Sequence, residues 1–165
     1  MNIRRILRHL VMDRWVARSA FPPRTMAAIE AAIEREETRH DGELRFAIEA
    51  ALPFGALMAG ASPRDRAIDV FSQLRVWDTA QNAGVLIYVL LADRQVEIVA
   101  DRGIHARVGD TAWEAICGAM QREFAEGRFE EGAITGVRAI SDLLAAHFPP
   151  RTENPDELPN RPVIL

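Results

Sequence analysis

Two neighbouring segments near the middle of the chain constrain the fold more than any other feature. Residues 85–91 form a continuous apolar run of strand length, and residues 95–100 alternate polar and apolar side chains. Only Ala92, Asp93 and Arg94 lie between them, which leaves room for a hairpin turn and nothing longer. The two strands must therefore be antiparallel neighbours. Residues just before the first strand then lie beside residues just after the second.

The segments before and after this hairpin predict the rest of the architecture. A half-buried strand at 44–48 is followed by a helix whose start is marked by Ser62 as cap and Pro63 at the first position. A strand, a helix and a strand in that order favour a parallel pair with a right-handed crossover. Further helices are predicted at about 25–39, 111–126 and 130–147. The predicted fold class is therefore α/β, with a small mixed β-sheet of three or four strands sandwiched by helices.

Both ends of the chain differ from this central domain, which we place at residues 21–148. Residues 1–20 are predicted to form a basic amphipathic helix, because residues 3–15 place apolar side chains at helical spacing. This segment carries five Arg and one Asp, whereas the whole chain has a net charge of −4. Residues 149–165 contain five prolines and are predicted to form an extended tail.

Two interpretations of the N-terminal helix stay open. It either packs on the domain or lies on an anionic membrane surface or in a partner groove, with Arg4, Arg5, Arg8 and Trp15 as the contacting residues. No apolar run approaches the roughly 20 residues of a membrane span, and no signal peptide is evident. We therefore expect a cytoplasmic protein with peripheral membrane contact as the alternative. The acidic net charge argues against nucleic-acid binding, so a protein is the expected partner.

The predicted strand order brings several oxygen-bearing side chains to one end of the sheet, which we call the rim. There the first two strands begin and the third ends. Carboxylate and amide oxygens in loops suit Ca²⁺ or Mg²⁺, and the candidate ligands are Glu43, Asp78, Asn82, Asp101 and Asp110. Gly84 and Gly103 are assigned to loop geometry. The alternative for each side chain is a local role in capping or turn formation.

Signatures of common enzyme classes are mostly absent. The sequence has neither the Gly-x-Gly-x-x-Gly motif nor the Gly-x-x-x-x-Gly-Lys-Ser/Thr loop of nucleotide-binding proteins. The four histidines lack metal-ligand spacing, although His105 lies near the predicted rim. The single cysteine, Cys117, excludes an internal disulfide and is predicted to be a core residue. The catalytic residues, if any, therefore stay unassigned.

Four motifs stand out in the middle of the chain: Gly-Glu-Leu-Arg at 42–45, Phe-Ser-Gln-Leu at 71–74, Asn-Ala-Gly-Val-Leu-Ile-Tyr at 82–88 and Asp-Arg-Gly-Ile at 101–104. With Trp77, Thr79 and the helix of Trp113, they resemble the TPM domain, most closely its compact soluble bacterial branch, over about residues 25–148. The resemblance implies an α/β sandwich. The TPM family includes thylakoid-lumen proteins tied to photosystem II repair and bacterial proteins that are often membrane-tethered.

Divalent-metal binding and phosphatase activity have both been attached to members of this family. By motif, Asn82 and Gly84 match its Asn-rich turn and Asp101 matches its acidic position after the third strand, whereas Ala83 departs from the pattern. Three hypotheses follow. The first is an accessory or interaction protein with a weak Ca²⁺ or Mg²⁺ site, acting at the membrane surface in membrane-protein maintenance. The others are a metal-assisted phosphatase using Asp78 and Asp101, and a scaffold without metal.

Overall fold

The computed structural model describes residues 3–151 and 155–165, so residues 1, 2 and 152–154 of the two terminal segments lie outside the described part. Its helices and strands follow in the order α1 (Ile3–Val11), α2 (Arg14–Ala20), α3 (Pro23–Glu37), β1 (Glu43–Glu49), α4 (Phe54–Met58), α5 (Pro63–Gln73), β2 (Gly84–Leu90), β3 (Gln95–Ala100), α6 (Arg102–Val108), α7 (Asp110–Ala125), α8 (Phe129–His147) and β4 (Val163–Ile164).

The four strands form one mixed sheet in the order β3-β2-β1-β4. β2 and β3 are antiparallel, with Val85 opposite Ala100, and β1 and β2 are parallel, with Glu43 opposite Gly84. The hairpin and the parallel crossover are both confirmed. The predicted fold class, a small mixed sheet between helices, is confirmed as well.

Alternation along the strands divides the core into two layers. On one face, buried side chains such as Phe46 and Ile87 pack with residues of α3, α7 and α8. On the other face, Leu86 and Tyr88 pack with residues of α4, α5 and the C-terminal tail. Because successive strand side chains point to opposite faces, the continuous apolar run of β2 supplies both layers. A strand buried on both sides explains why this run shows no alternation.

The N-terminal segment consists of two helices, whereas the sequence predicted one. α1 ends at Val11, and the carboxylate of Asp13 accepts the backbone N–H groups of Trp15 (2.9 Å) and Val16 (3.2 Å), which caps α2. Aspartate is preferred at the cap position of a helix and is unfavourable inside a helix. The apolar spacing of residues 3–15 continues across this break and therefore conceals it.

The segment after β3 is also more helical than predicted. Asp101 lies at the cap position of α6, a helix that the sequence did not predict, and its carboxylate accepts the N–H of Arg102 at 2.6 Å. Gly109, with φ of 78°, separates α6 from α7, and α7 has no side-chain cap. The helix predicted at 111–126 therefore begins at Asp110. The cap predicted at Ser62 is confirmed, because Ser62 and Asp65 exchange both hydrogen bonds of a capping box.

The C-terminal tail docks on the sheet. β4 pairs with β1 in parallel, and the N–H of Leu165 donates to the carbonyl of Ile48 at 2.9 Å. The buried guanidinium of Arg45 donates to the backbone carbonyls of Pro159 and Arg161, which holds the preceding turn of the tail against β1. None of the helices in residues 3–151 and 155–165 is both long enough and apolar enough to span a bilayer.

Candidate cation site

Strand pairing places three of the predicted ligands at one end of the sheet, as the sequence indicated. The N–H of Glu43 donates to the carbonyl of Ala83 at 3.0 Å, and the N–H of Asp101 donates to the carbonyl of Gly84 at 2.9 Å. The start of β1, the start of β2 and the end of β3 are therefore adjacent. Asn82 immediately precedes β2 and belongs to the same rim.

Asp101 has a structural role and one oxygen to spare. Asp101 is 7% exposed, and its Oδ1 accepts the N–H of Arg102 as the cap of α6. Oδ2 is buried and has no hydrogen-bond partner among the described residues. A buried carboxylate oxygen without a donor is costly. This oxygen is therefore a candidate cation ligand, although the capping role predicted as its alternative is also present.

The two glycines assigned to the rim are needed for space. A Cβ on Gly103 would lie 2.9 Å from the carbonyl oxygen of Asn82, a residue with φ of 50°. A Cβ on Gly84 would lie only 1.8 Å from the carbonyl oxygen of Val76. The backbone at Val76 therefore lies against β2, the strand between those that carry Glu43 and Asp101. Glu43 and Asp101 flank Gly84 in the sheet, so this backbone lies between their two strands.

Asp78, Asp101 and Asp110 do not form a group of carboxylates within 4.8 Å of one another among the described residues. Asp78 is exposed, and Asp110 is paired with His105 at 3.6 Å, with most of its side chain in solvent. Asp110 lies beyond α6, whose seven residues span roughly 10 Å at a rise of about 1.5 Å per residue. The expectation that Asp110 returns to the rim depended on a short loop, and the unpredicted helix α6 removes that loop.

Glu43 instead belongs to a different group of acids, which we call the carboxylate cluster: Glu37, Glu43 and Asp156. One carboxylate oxygen from each lies within 4.8 Å of the others, and these are the only three acidic, His or Cys side chains grouped in this way within the described residues. Glu37 comes from the last turn of α3, Glu43 from the start of β1 and Asp156 from the tail. Three chain segments therefore converge on one small volume.

Burial dominates the electrostatics of this cluster. It raises the pKa of Glu37 to about 8 and that of Glu43 to about 7, because the ionised form of each is poorly solvated. Backbone donors oppose the shift, since Leu44 N–H donates to Glu37 at 2.8 Å and Leu158 N–H donates to Glu43 at 3.2 Å. Near neutral pH, burial therefore favours a proton on Glu37 and, in part, on Glu43.

The carboxylate cluster opens on a cavity of about 400 Å³ that an ion can enter. Asn160 lines the same cavity, and its amide oxygen is buried without a hydrogen-bond partner in the described part of the chain. The amide nitrogen lies 3.5 Å from a carboxylate oxygen of Asp156. Three carboxylates and one amide are a set of oxygen donors typical of calcium and magnesium sites.

Comparison with known proteins identifies the family. The family model of the TPM domain matches residues 17–143, which is more than half of the chain. The chain belongs to the TPM domain family. It is similar to the BA42 protein of the psychrophilic bacterium Bizionia argentinensis, whose NMR structure superposes with a TM-score of 0.75 at 33% identity, covering 86% of this chain and 92% of that one.

A second solved structure shares the fold of this TPM domain. The N-terminal domain of a protein from P. gingivalis, also determined by NMR, superposes with a TM-score of 0.57 at 20% identity and covers 73% of this chain and 76% of its own. No curated protein sequence matches the chain. The comparisons therefore establish the family and the fold, and any chemistry has to be inferred from the residues of the site.

Of the carboxylate cluster, sequence reasoning found Glu43 and missed Glu37 and Asp156. Glu37 belongs to the acidic surface pattern of α3, and Asp156 to a tail without any periodicity. Neither position carries a local signal that distinguishes it from a solvated acid. The only useful signal is indirect. Glu37 lies shortly before β1, so its side chain can fold back on the N–H of Leu44.

The predicted membrane or partner surface is divided by the structure. Arg5 turns toward the domain, where its guanidinium lies 2.8 Å from Asp93 and also donates to the carbonyl of Ala61. Arg8 lies 3.5 Å from the same carboxylate but keeps about half of its side chain exposed. Arg4 and Trp15 are exposed to solvent. Arg5 therefore attaches α1 to the TPM domain, and its assignment as a surface contact is corrected.

Proposed function

We propose that this TPM-domain protein is an accessory or interaction protein that binds a divalent cation weakly at the carboxylate cluster. The observation that carries the proposal is the approach of Glu37, Glu43 and Asp156 to within 4.8 Å. Acids this close repel one another when ionised, and a divalent cation relieves that repulsion. Ca²⁺ or Mg²⁺ suits the oxygen-only ligand set.

The expected affinity is low and depends on pH. Asp156 is exposed and the cavity is open, so water and the tail complete the coordination, as in sites with dissociation constants of about 10⁻⁴–10⁻³ M. Protons compete for Glu37 and Glu43, whose pKa values are raised to about 8 and about 7. Affinity should therefore fall as the pH is lowered from 8.5 to 6.

A ¹⁵N-HSQC titration with CaCl₂ and MgCl₂ at pH 8.5 tests the proposal. We expect saturable shifts at the amides of Leu44 and Leu158, which donate to the cluster. Glu43→Gln should abolish them. Glu114→Gln, which neutralises an exposed acid of α7, should leave them intact. A flat titration of the wild-type protein at pH 8.5 would remove the cation proposal and leave the scaffold without metal.

The second candidate function is the metal-assisted phosphatase, and the observation that favours it is the unpartnered Oδ2 of Asp101 at the rim. In this case shifts in the same titration would centre on residues 82–84 and 101–103. Release of phosphate from p-nitrophenyl phosphate should depend on added Mg²⁺ and be lost in Asp101→Asn, which keeps an oxygen for the cap of α6. Cation binding without turnover would retain the accessory role and exclude the phosphatase.

A further inference from the structure

The outer face of α1 is apolar and open to solvent. Four apolar residues lie on one side of the helix at helical spacing. Their exposed fractions are 71% for Ile3, 56% for Leu7, 61% for Leu10 and 76% for Val11. A helix that only packs on its own domain buries such a stripe. Four large aliphatic side chains in water on one short helix mark an interaction surface.

This apolar surface continues beyond α1. Seven of the nine exposed large hydrophobic residues in the described chain belong to α1, to the first turn of α2 or to α4. Leu10 and Phe54 line one cavity of about 340 Å³, which makes α1 and α4 direct neighbours. We call the exposed apolar side chains of these two helices the α1–α4 face, and it consists of Ile3, Leu7, Leu10, Val11, Phe54 and Met58.

The polar side of α1 faces the protein, which fixes the apolar side outward. The imidazole of His9 is buried; its Nδ1 accepts the N–H of Leu52 at 3.0 Å, so Nε2 carries the proton that it donates to Asp93 at 3.1 Å. Arg5 makes a second, paired contact with the same carboxylate. Asp93 lies in the β2–β3 turn, so these contacts attach the helix to the hairpin.

The charge around the α1–α4 face indicates what covers it. Residues 1–20 carry five Arg and one Asp, and four of these arginines remain once Arg5 is paired with Asp93, whereas the whole chain carries −4. Arg4 and Arg8 border the apolar stripe on α1, and Arg14 and Arg18 follow on α2. Apolar side chains flanked by arginines are the pattern of helices that lie in a bilayer interface. We propose that the α1–α4 face docks on a lipid bilayer that contains anionic headgroups.

The docked orientation leaves the rim accessible. The α1–α4 face is attached at the β2–β3 turn, and the rim lies at the opposite end of the same strands. A strand of seven residues spans about 20 Å, whereas an interfacial helix enters the bilayer by only about 5–10 Å. The rim therefore stays in water, clear of the headgroups. Membrane docking and the proposed cation site use separate surfaces, and one can fail without the other.

Vesicle flotation of the full chain tests the proposal. We expect the protein to float with vesicles of phosphatidylcholine and phosphatidylglycerol in equal parts and to float less with phosphatidylcholine alone. Leu7→Ser combined with Val11→Ser should lower partitioning at least tenfold, because both side chains leave water on docking. Arg4→Gln should lower it by about fivefold, and more weakly at high salt.

The matched control is Trp77→Ser, which removes another half-exposed apolar side chain from the rim end of the domain. It should float like the wild type. Circular dichroism checks that each variant folds, and since Leu7 and Val11 are in solvent, no loss of structure is expected. Equal flotation of wild type and the Leu7/Val11 variant would overturn the proposal. The proposal would also be overturned if the wild type is a dimer in sedimentation velocity and does not bind vesicles, while the Leu7/Val11 variant is a monomer. In that case a second copy of the chain covers the face.

Discussion

The contact between Gly84 and the backbone of Val76 allows a quantitative prediction about the rim. A Cβ at position 84 would lie 1.8 Å from the carbonyl oxygen of Val76 and 2.9 Å from its carbonyl carbon, and real Cβ atoms essentially never approach within 3.0 Å. Gly84→Ala must therefore displace backbone by more than about 1 Å. Val76 is fully buried and β2 is the central partner of β1 and β3, so neither side yields easily.

We expect Gly84→Ala to lower the free energy of unfolding by about 3–5 kcal/mol, because overpacking against backbone cannot be relieved by a change of rotamer. That is a large part of the roughly 5–15 kcal/mol that holds a domain of this size. Urea denaturation followed by circular dichroism at 222 nm measures it. The paired control is Gly118→Ala inside α7, where the nearest atom is an ordinary 3.6 Å away.

The free energy of unfolding of Gly118→Ala should rise by up to about 1 kcal/mol, since alanine is a better helix former than glycine. The two variants make the same chemical change, so opposite signs isolate the contact at Val76. A free energy of unfolding for Gly84→Ala within about 0.5 kcal/mol of the wild-type value, with an unchanged dependence on urea, would contradict this prediction. In that case the segment at Val76 is not held against β2.

Three further predictions concern a buried ion pair, a buried carboxyl group and the outer edge of the sheet. Asp93→Asn should weaken the attachment of α1 by about 3 kcal/mol, seen as faster hydrogen exchange at residues 6–11 with exchange in β2 unchanged; equal exchange in both proteins would argue against the attachment described. Glu37→Gln should stabilise the protein by about 2–4 kcal/mol at pH 8.5 and hardly at pH 4.5. The raised pKa means that the stability contributed by neutral Glu37 is complete below about pH 4.5 and is lost as the pH rises through about 8; a pH-independent effect in urea denaturation would contradict the shift. Removal of residues 161–165 should uncover the outer edge of β1 and cause self-association in light scattering, whereas a monomeric truncated chain would show that this edge is otherwise protected.

The sheet could be predicted from the sequence because its signals are local. The apolar run of β2, the alternation of β3 and the three-residue turn between them leave one arrangement. α6 could not be predicted, because the Asp-Arg-Gly sequence that opens it is equally typical of a turn. The error matters for the site. Seven helical residues between Asp101 and Asp110 move the second acid away from the first.

The carboxylate cluster shows a different limit. Glu43 was placed at the correct end of the sheet because strand order alone determines that position. Its partners depend on where a helix ends and where a tail crosses, and both are tertiary contacts without periodicity. Burial then changes the chemistry of these groups. Glu37 and Glu34 belong to the same acidic pattern of α3, but only Glu37 is turned into the fold, where it receives the N–H of Leu44.

The N-terminal helix shows why amphipathicity predicts a buried face without saying what buries it. The sequence left open whether the apolar stripe of residues 3–11 packs on the domain or on something else. The answer depends on Asp93, more than 80 residues later, which draws Arg5 and His9 inward by 3.1 Å contacts or shorter. This one acid in a hairpin turn therefore orients the polar side of the helix toward the domain and leaves its leucines exposed to water. If the α1–α4 face docks on a bilayer, Asp93 is the residue that determines which way the rim of this TPM domain points.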